Sequence, residues 1–283
     1  MKINTNMSAL FTARQENVNS NSIQKSMEKL SSGLSINRAS DDSSGLAVSE
    51  KMRAQIRGLN RASKNVGDMV SFTSTAEGYL DEMGNIIQRI RELSVQAGNG
   101  IYSAEDRIQL NVEVSQLVSE IDRIASTASF NGMNIFSGRF AKEGGEEIAF
   151  HIGANADERI SMNIEKMTAE SLGLKNNSEN SISLETQDTA NTAISTLDNA
   201  LKTINSQRAN IGAMTNRAEM AQNGIDVASE NLQASESRIR DIDTAKAFVD
   251  YAKDEILQSS SSAMLAQAIN INRASVARLF GSI

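Results

Sequence analysis

Apolar residues recur by threes and fours along most of this chain. From Val48 through Met52, Ile56, Leu59, Ala62, Val66, Met69, Phe72, Ala76, Leu80, Met83, Ile87, Ile90 and Leu93 to Ala97 the advance never breaks, which is the spacing of one face of an α-helix. The pattern predicts a single helix from about Gly45 to Gly98, on the order of 80 Å long. No compact domain encloses such an element, so it must lie along other long helices. Gly98-Asn99-Gly100 ends it, and Ser103 followed by Asp106 supplies a capping pair for the next. The seam of that helix, Leu110, Val114, Leu117, Ile121, Ile124 and Ala128, alternates fours and threes as a heptad stripe does. It stops at Phe130-Asn131-Gly132, a turn signal.

The period then drops to two. Ile148, Phe150 and Ile152 alternate with smaller or polar residues, Gly153 to Asp157 make a turn, and Ile160, Met162 and Ile164 alternate again, which predicts a β-hairpin. A two-stranded hairpin is marginal alone, so its apolar face should rest on the helices. His151 lies between Phe150 and Ile152 and should point off that face. Leu172 to Glu185 is polar and reads as a loop. Helical spacing returns at Ile194, Leu197, Leu201, Ile204, Ile211, Ala218, Ile225 and Leu232, with Arg208, Gln222 and Ser229 on the same seam. Polar seam residues specify register rather than add strength, and Gly212 and Gly224 hint at close packing or a bend. Both ends carry thin stripes: Ile3, Met7, Leu10, Ile23, Met27, Leu30 and Leu34 at one, Ile239, Ile242, Ala245, Val249, Ala252, Ile256, Ser259, Ala263 and Ala266 at the other. Stripes this narrow bury too little to hold an isolated helix, so each end needs a partner.

Composition sharpens this picture. The 283 residues contain no proline, no cysteine, no tryptophan and one histidine, with aromatics at 4%. Helix breakers are excluded, and so are disulfides and thiolate chemistry. The fold class expected is mainly α: a long antiparallel helical bundle or coiled coil with one small β-hairpin, an elongated rod. A net charge of −7 gives no broad attraction to nucleic acid or to an anionic membrane, and no stretch approaches a membrane span. The polar start MKINTNMSAL lacks the apolar run of a cleaved signal. Asp41-Asp42 reads as the cap of the long helix rather than a metal site. Arg89 and Arg91 lie two apart on one helix and diverge, so they cannot form one clamp; the plain reading is a solvated face with one arginine in an intersubunit ion pair. No cofactor, no metal and no catalytic residue is expected.

Several runs together resemble bacterial flagellins: Leu30-Ser31-Ser32-Gly33, Ile36 to Asp42, Gly45 to Ser49 and Ile87 to Leu93 in the first half, and Gln207 to Ala213, Asn231 to Asp241 and Met264 to Ala268 in the second. The resemblance covers essentially the whole chain and implies a structural subunit, not an enzyme, that polymerises into the flagellar filament. It implies four parts: 1–43 and 236–283 as the two halves of an inner coiled-coil domain, and 44–186 and 187–235 as the helices and hairpin of an outer rod. The inner assembly seam would be Ile3, Met7, Leu10, Met27, Leu30, Ile242, Val249 and Ile256. Surface domains that many flagellins insert after the hairpin have no room here. Implied partners are further copies of the chain, an export chaperone and type III export apparatus, hook-associated and cap proteins, and a host Toll-like receptor that would touch Arg89, Leu93 and Glu113. Gly100 to Arg107 and Phe150 to Asn155 are similar to spirochaete core flagellins, whose filaments run in the periplasm; others are extracellular. The alternatives are a hook-filament junction protein and an enzyme on a long helical hairpin, whose chemistry would have to come from carboxylates alone. The chain departs from many flagellins in having no proline after the Ala-Gln-Ala run.

Overall fold

The structure, a computed structural model, describes residues 6–142, 145–176, 179–180 and 182–280. Five helices carry it: α1 (Met7–Ser32), α2 (Ser43–Ala97), α3 (Ala104–Thr127), α4 (Gln187–Arg240) and α5 (Thr244–Phe280). Between α3 and α4 lie three antiparallel strand pairs, β1 (Ser129–Phe130) with β2 (Met133–Asn134), β3 (Ile148–His151) with β4 (Arg159–Met162), and β5 (Lys175–Asn176) with β6 (Glu179–Asn180). The chain divides into two units, one of Gln55–Ser229 and one of Met1–Ala54 with Glu230–Ile283.

The Gln55–Ser229 unit has an apolar core. The predicted α2 stripe is inside from Ala62 onward, while Met52, Ile56 and Leu59 are half-buried and Val48 is exposed. Phe72, Ala76, Leu80, Met83, Ile87, Ile90 and Leu93 cluster with Val114, Val118, Ile121 and Ile124 of α3 and Leu197, Ile204 and Ile211 of α4, and Val66 and Met69 with Ala218 and Ile225 of α4. Each large side chain fully buried this way is worth roughly 1.5–3 kcal/mol. The capping box forms as read: Ser103 Oγ accepts from the Asp106 backbone N–H, and the Asp106 carboxylate accepts from the Ser103 N–H at 3.0 Å. Asn131-Gly132 becomes a two-residue hairpin turn with φ of 49° and 77°, the pair of positive φ values that a type I′ turn requires.

The seam polars of α4 each find a partner on α2. Arg208 binds Glu77 at 2.8 Å and Asp81 at 3.0 Å, Thr215 meets Thr73 at 3.0 Å, Gln222 donates to Ser63 at 2.7 Å, and Ser229 donates to Asn60 at 3.4 Å. These contacts order the two helices as antiparallel neighbours and index their register.

The β3–β4 hairpin lies on this unit as expected. Phe150 stands 5.8 Å from Phe72 between ring centroids, Asn65 Nδ2 donates to the His151 carbonyl at 2.9 Å, and the His151 side chain is exposed. Gly58 lets the hairpin tip approach, since a Cβ there would stand 2.8 Å from Cβ of Ala154.

Two expectations need correcting. The segment from Leu172 to Glu185 is not merely a polar loop: Leu172, Leu174, Ile182 and Leu184 are buried in the core. The surrounding backbone is latched to α3, with Ala169 N–H donating to Asp122 and Leu184 N–H to Asn111. Its apolar residues are too sparse to show a period. Close packing at Gly212 and Gly224 is absent too, because a Cβ at either would meet open space.

In the other unit α1 and α5 run antiparallel. Asn6 Nδ2 donates to the Ala268 carbonyl at 3.0 Å and Asn19 Nδ2 to Ser261 Oγ at 2.9 Å. α1 ends at Gly33, whose φ of 71° closes the helix with its N–H on the Lys29 carbonyl. The chain leaving α1 then pairs with the α4–α5 junction: Ser35 N–H donates to the Arg240 carbonyl at 2.7 Å, and Ile242 N–H to the Gly33 carbonyl at 3.1 Å. Each thin-striped end thus has the other for a partner.

Candidate assembly surface

The unit built from the chain ends is short of an apolar interior. Among its described residues Ile36 is the one buried hydrophobic, while the other buried side chains are Asn19, Ser49, Arg240 and Ser261. Its large apolar side chains lie outside instead: Met7 (68% exposed), Leu10, Phe11 and Met27 on α1, and Phe248, Val249, Ile256 (69% exposed), Met264 and Ile271 on α5. The contact between α1 and α5 is therefore made by their small and polar faces. Of the seam residues named from the sequence, Met7, Leu10, Met27, Val249 and Ile256 are exposed, Leu30 and Ile242 are half-buried, and Ile3 lies outside the described residues. They do not form a seam within one chain. Large apolar side chains exposed along both helices mark a candidate interaction surface.

Electrostatics fix the base of this unit. Arg240, almost wholly buried, places a guanidinium nitrogen on the Glu50 carboxylate; that bond, helped by Arg53, holds the Glu50 carboxyl below its ordinary range against the opposing effect of desolvation. Asp41 accepts the N–H groups of Arg38 and Asn37, which lower its pKa likewise. Asp42 accepts from Ser44 and Gly45 at the start of α2. The acidic pair therefore caps backbone.

The second group of residues named from the sequence is only partly together on the surface. Arg89 of α2 and Glu113 of α3 form an exposed ion pair at 2.9 Å, which raises the Arg89 pKa. Leu93 is 1% exposed and belongs to the core, so its side chain is not available to an outside partner. The two arginines of this stretch do diverge, and within one chain Arg89 pairs with Glu113 and Glu92, and Arg91 with Asp198 at 2.8 Å. Spacing along α2 could not reveal Glu113 and Asp198, which lie on α3 and α4, whereas Glu92 is one turn away on α2 itself.

A helical chain whose ends fold together around polar contacts, with their apolar faces turned outward, is a protein built to associate. Comparison with known proteins makes the class specific. Residues 3–141 match the bacterial flagellin N-terminal helical region and residues 194–280 the bacterial flagellin C-terminal helical region. The chain is 60% identical over 274 residues to the flagellar filament 33 kDa core protein of Treponema phagedenis, covering 95% of this chain and 96% of that one. Flagellin FlaB2 of Treponema pallidum is 58% identical with the same coverage. Among solved structures, a putative flagellar hook-associated protein from Vibrio parahaemolyticus shares the fold, with a TM-score of 0.58 at 13% identity over 71% of this chain and 100% of that one. The chain belongs to the bacterial flagellin family.

Proposed function

We infer that the chain polymerises with copies of itself into a flagellar filament, of which it is a structural subunit serving motility. The observation that carries this is the inverted unit at the chain ends, whose apolar side chains face outward and whose one buried hydrophobic among the described residues cannot sustain a core. Neighbouring copies packing on α1 and α5 would supply the missing interior, with Met7, Leu10, Met27, Leu30, Ile242, Val249 and Ile256 on the assembly seam. Purified chain added to short filament seeds should elongate them; failure to elongate, with the fold intact, would leave a hook-filament junction role as the better reading.

The remaining partners are those that membership of the flagellin family implies. They are an export chaperone, which would cover the apolar side chains exposed before assembly, a type III export apparatus, and hook-associated and cap proteins at the ends of the polymer. Arg89 and Glu113 form the part of the implied receptor site that a Toll-like receptor could reach. A more specific reading, a core subunit of a filament carried in the periplasm, is favoured over an extracellular one by the 60% identity to a Treponema filament core protein. Immunolabelling tests it: label should reach the filament only after the outer membrane is opened, and label on intact cells would place it outside.

A further inference from the structure

The chain holds three Asn-Gly pairs, Asn99-Gly100, Asn131-Gly132 and Asn223-Gly224, and the fold gives each a different backbone setting. Asn-Gly is the dipeptide most prone to lose its side-chain amide. The deprotonated glycine nitrogen attacks Cγ of the asparagine, a five-membered succinimide closes, and ammonia leaves. Water then opens the ring at one of its two carbonyls, giving aspartate or isoaspartate. One water is consumed and one ammonia released, with no oxidant or catalyst. The attack is fastest where the following residue has no side chain, its N–H is not held in a hydrogen bond, and the backbone can bring that nitrogen onto Cγ.

Asn223-Gly224 fails on two of these counts. It lies inside α4, where the helix holds both the N–H and the backbone angles. Asn131-Gly132 is also exposed, with open space where a Gly132 Cβ would stand, but it is pinned as the tip of the β1–β2 hairpin, with Phe130 paired to Met133 across the turn and packed against the core. Asn99-Gly100 lies in neither a helix nor a strand ladder, although the Asn99 N–H donates to Gln96 and its carbonyl accepts from Tyr102 and Arg107. Both residues are exposed in the connection from α2 to α3, a side chain at Gly100 would meet open space, and the Gly100 N–H has no acceptor among the described residues. The Asn99 carboxamide oxygen also accepts weakly from the Ile101 N–H at 3.4 Å, which draws electrons from Cγ and favours attack there.

We propose that Asn99 is a self-modifying site, converting spontaneously to aspartate and isoaspartate in the folded protein while Asn131 and Asn223 keep their amides. The product has a place in the fold. Arg107 donates to the carbonyls of Ala97 at 2.8 Å and Asn99 at 3.1 Å, so the new carboxylate arises beside a guanidinium. Isoaspartate would also add a methylene to the backbone where Tyr102 N–H reaches the Asn99 carbonyl, loosening the α2–α3 connection. Each event makes the chain one charge more negative than its present −7.

The test uses the full chain, incubated folded in mildly alkaline buffer and then digested with trypsin. Cleavage after Arg91 and Arg107, Arg123 and Arg139, and Arg217 and Arg238 puts the three pairs in three separate peptides. Mass spectrometry reads the exchange of amide for acid in each, and an isoaspartyl methyltransferase labels the rearranged product. The Asn99 peptide should convert at least an order of magnitude faster than the other two in the folded chain, and the three rates should converge in denaturant. Equal rates in the folded chain, or a slower Asn99, would overturn the proposal. Gly100→Val, a change the open space accommodates, should slow conversion at Asn99 alone; an unchanged rate in that variant would rule out attack by the Gly100 nitrogen.

Discussion

Two glycines on the same helix carry opposite constraints. Gly67 of α2 has open space where a Cβ would stand, whereas at Gly58 the added atom would meet Cβ of Ala154 at 2.8 Å and its Cα at 3.1 Å. Alanine is favoured over glycine inside a helix by about 1 kcal/mol, so Gly67→Ala should stabilise the monomer by up to that amount. Gly58→Ala has to displace the hairpin tip, and overpacking costs about 1–3 kcal/mol, which cancels or reverses the gain. Thermal melts of the two variants beside the parent check the contrast. Equal stabilisation by both would show that the hairpin tip does not rest on Gly58. A matching estimate applies at the α3 start, where Ser103→Ala should cost about 1 kcal/mol through loss of the cap.

At the scale of an element, the charged contacts predict how the helices respond to acid. Glu50, Asp41, Asp106, Glu120 and Glu158 are all held below their ordinary values, each chiefly by a hydrogen bond: from Arg240 to Glu50, the Arg38 N–H to Asp41, the Ser103 N–H to Asp106, Arg123 to Glu120 and the Asn155 side chain to Glu158. A carboxylate with a lowered folded pKa stabilises the native state fully above its unfolded value and loses that contribution as pH falls through the folded one. Stability should therefore stay level near neutrality and decline only below the ordinary carboxylate range. Glu50→Gln should remove part of that decline in melts followed across the acid range. The Arg89–Glu113 pair connects α2 and α3 on the surface, where exposed pairs are worth about 0–1 kcal/mol. Arg89→Ala should therefore leave the melting temperature almost unchanged while lowering activation of receptor-bearing cells by the monomer; an unchanged response would remove this pair from the receptor site. On α5, Ile256 is exposed in the single chain, so Ile256→Asp should fold normally and fail to pellet as filament, because burying an unpaired carboxylate against a neighbour costs several kcal/mol in every subunit. Pelleting equal to the parent would take Ile256 off the seam.

For the whole molecule, the uneven distribution of core between the two units sets what can be removed. Nearly every buried hydrophobic belongs to the Gln55–Ser229 unit, and that unit needs no residue beyond 229 to complete it. Deleting residues 240–283 should leave its helical signal and cooperative melt in place while abolishing seeded elongation. A truncated chain that still grows filaments would show that α5 is not an assembly element. Local stability follows buried apolar contact, so hydrogen exchange should be fast along α1 and α5 in the monomer and slow in the polymer. Slow exchange along α1 in the monomer would mean that the polar contacts with α5 suffice alone.

Sequence by itself determined the helices and their faces. The unbroken threes and fours from Val48 to Ala97, the Ser103–Asp106 cap and the Asn131-Gly132 turn are local rules, satisfied by residues a few positions apart, and the flagellin runs identified the family at both ends of the chain. What needed the tertiary structure was every pairing between distant residues. Leu172, Leu174, Ile182 and Leu184 showed no period because an irregular segment is buried by what it lies against, here α3 through Asn111 and Asp122. The terminal stripes could be seen to be thin but not which way they face, since two helices can meet along polar faces when the apolar ones are left for another contact. Leu93 is on the same helix face as residues in the core and so goes inside, whereas Arg89, four residues earlier, finds Glu113 across the turn. Three identical Asn-Gly pairs carry the same reactivity as sequence; only the fold, by placing one in a helix, one at a hairpin tip and the third in an open connection, separates them.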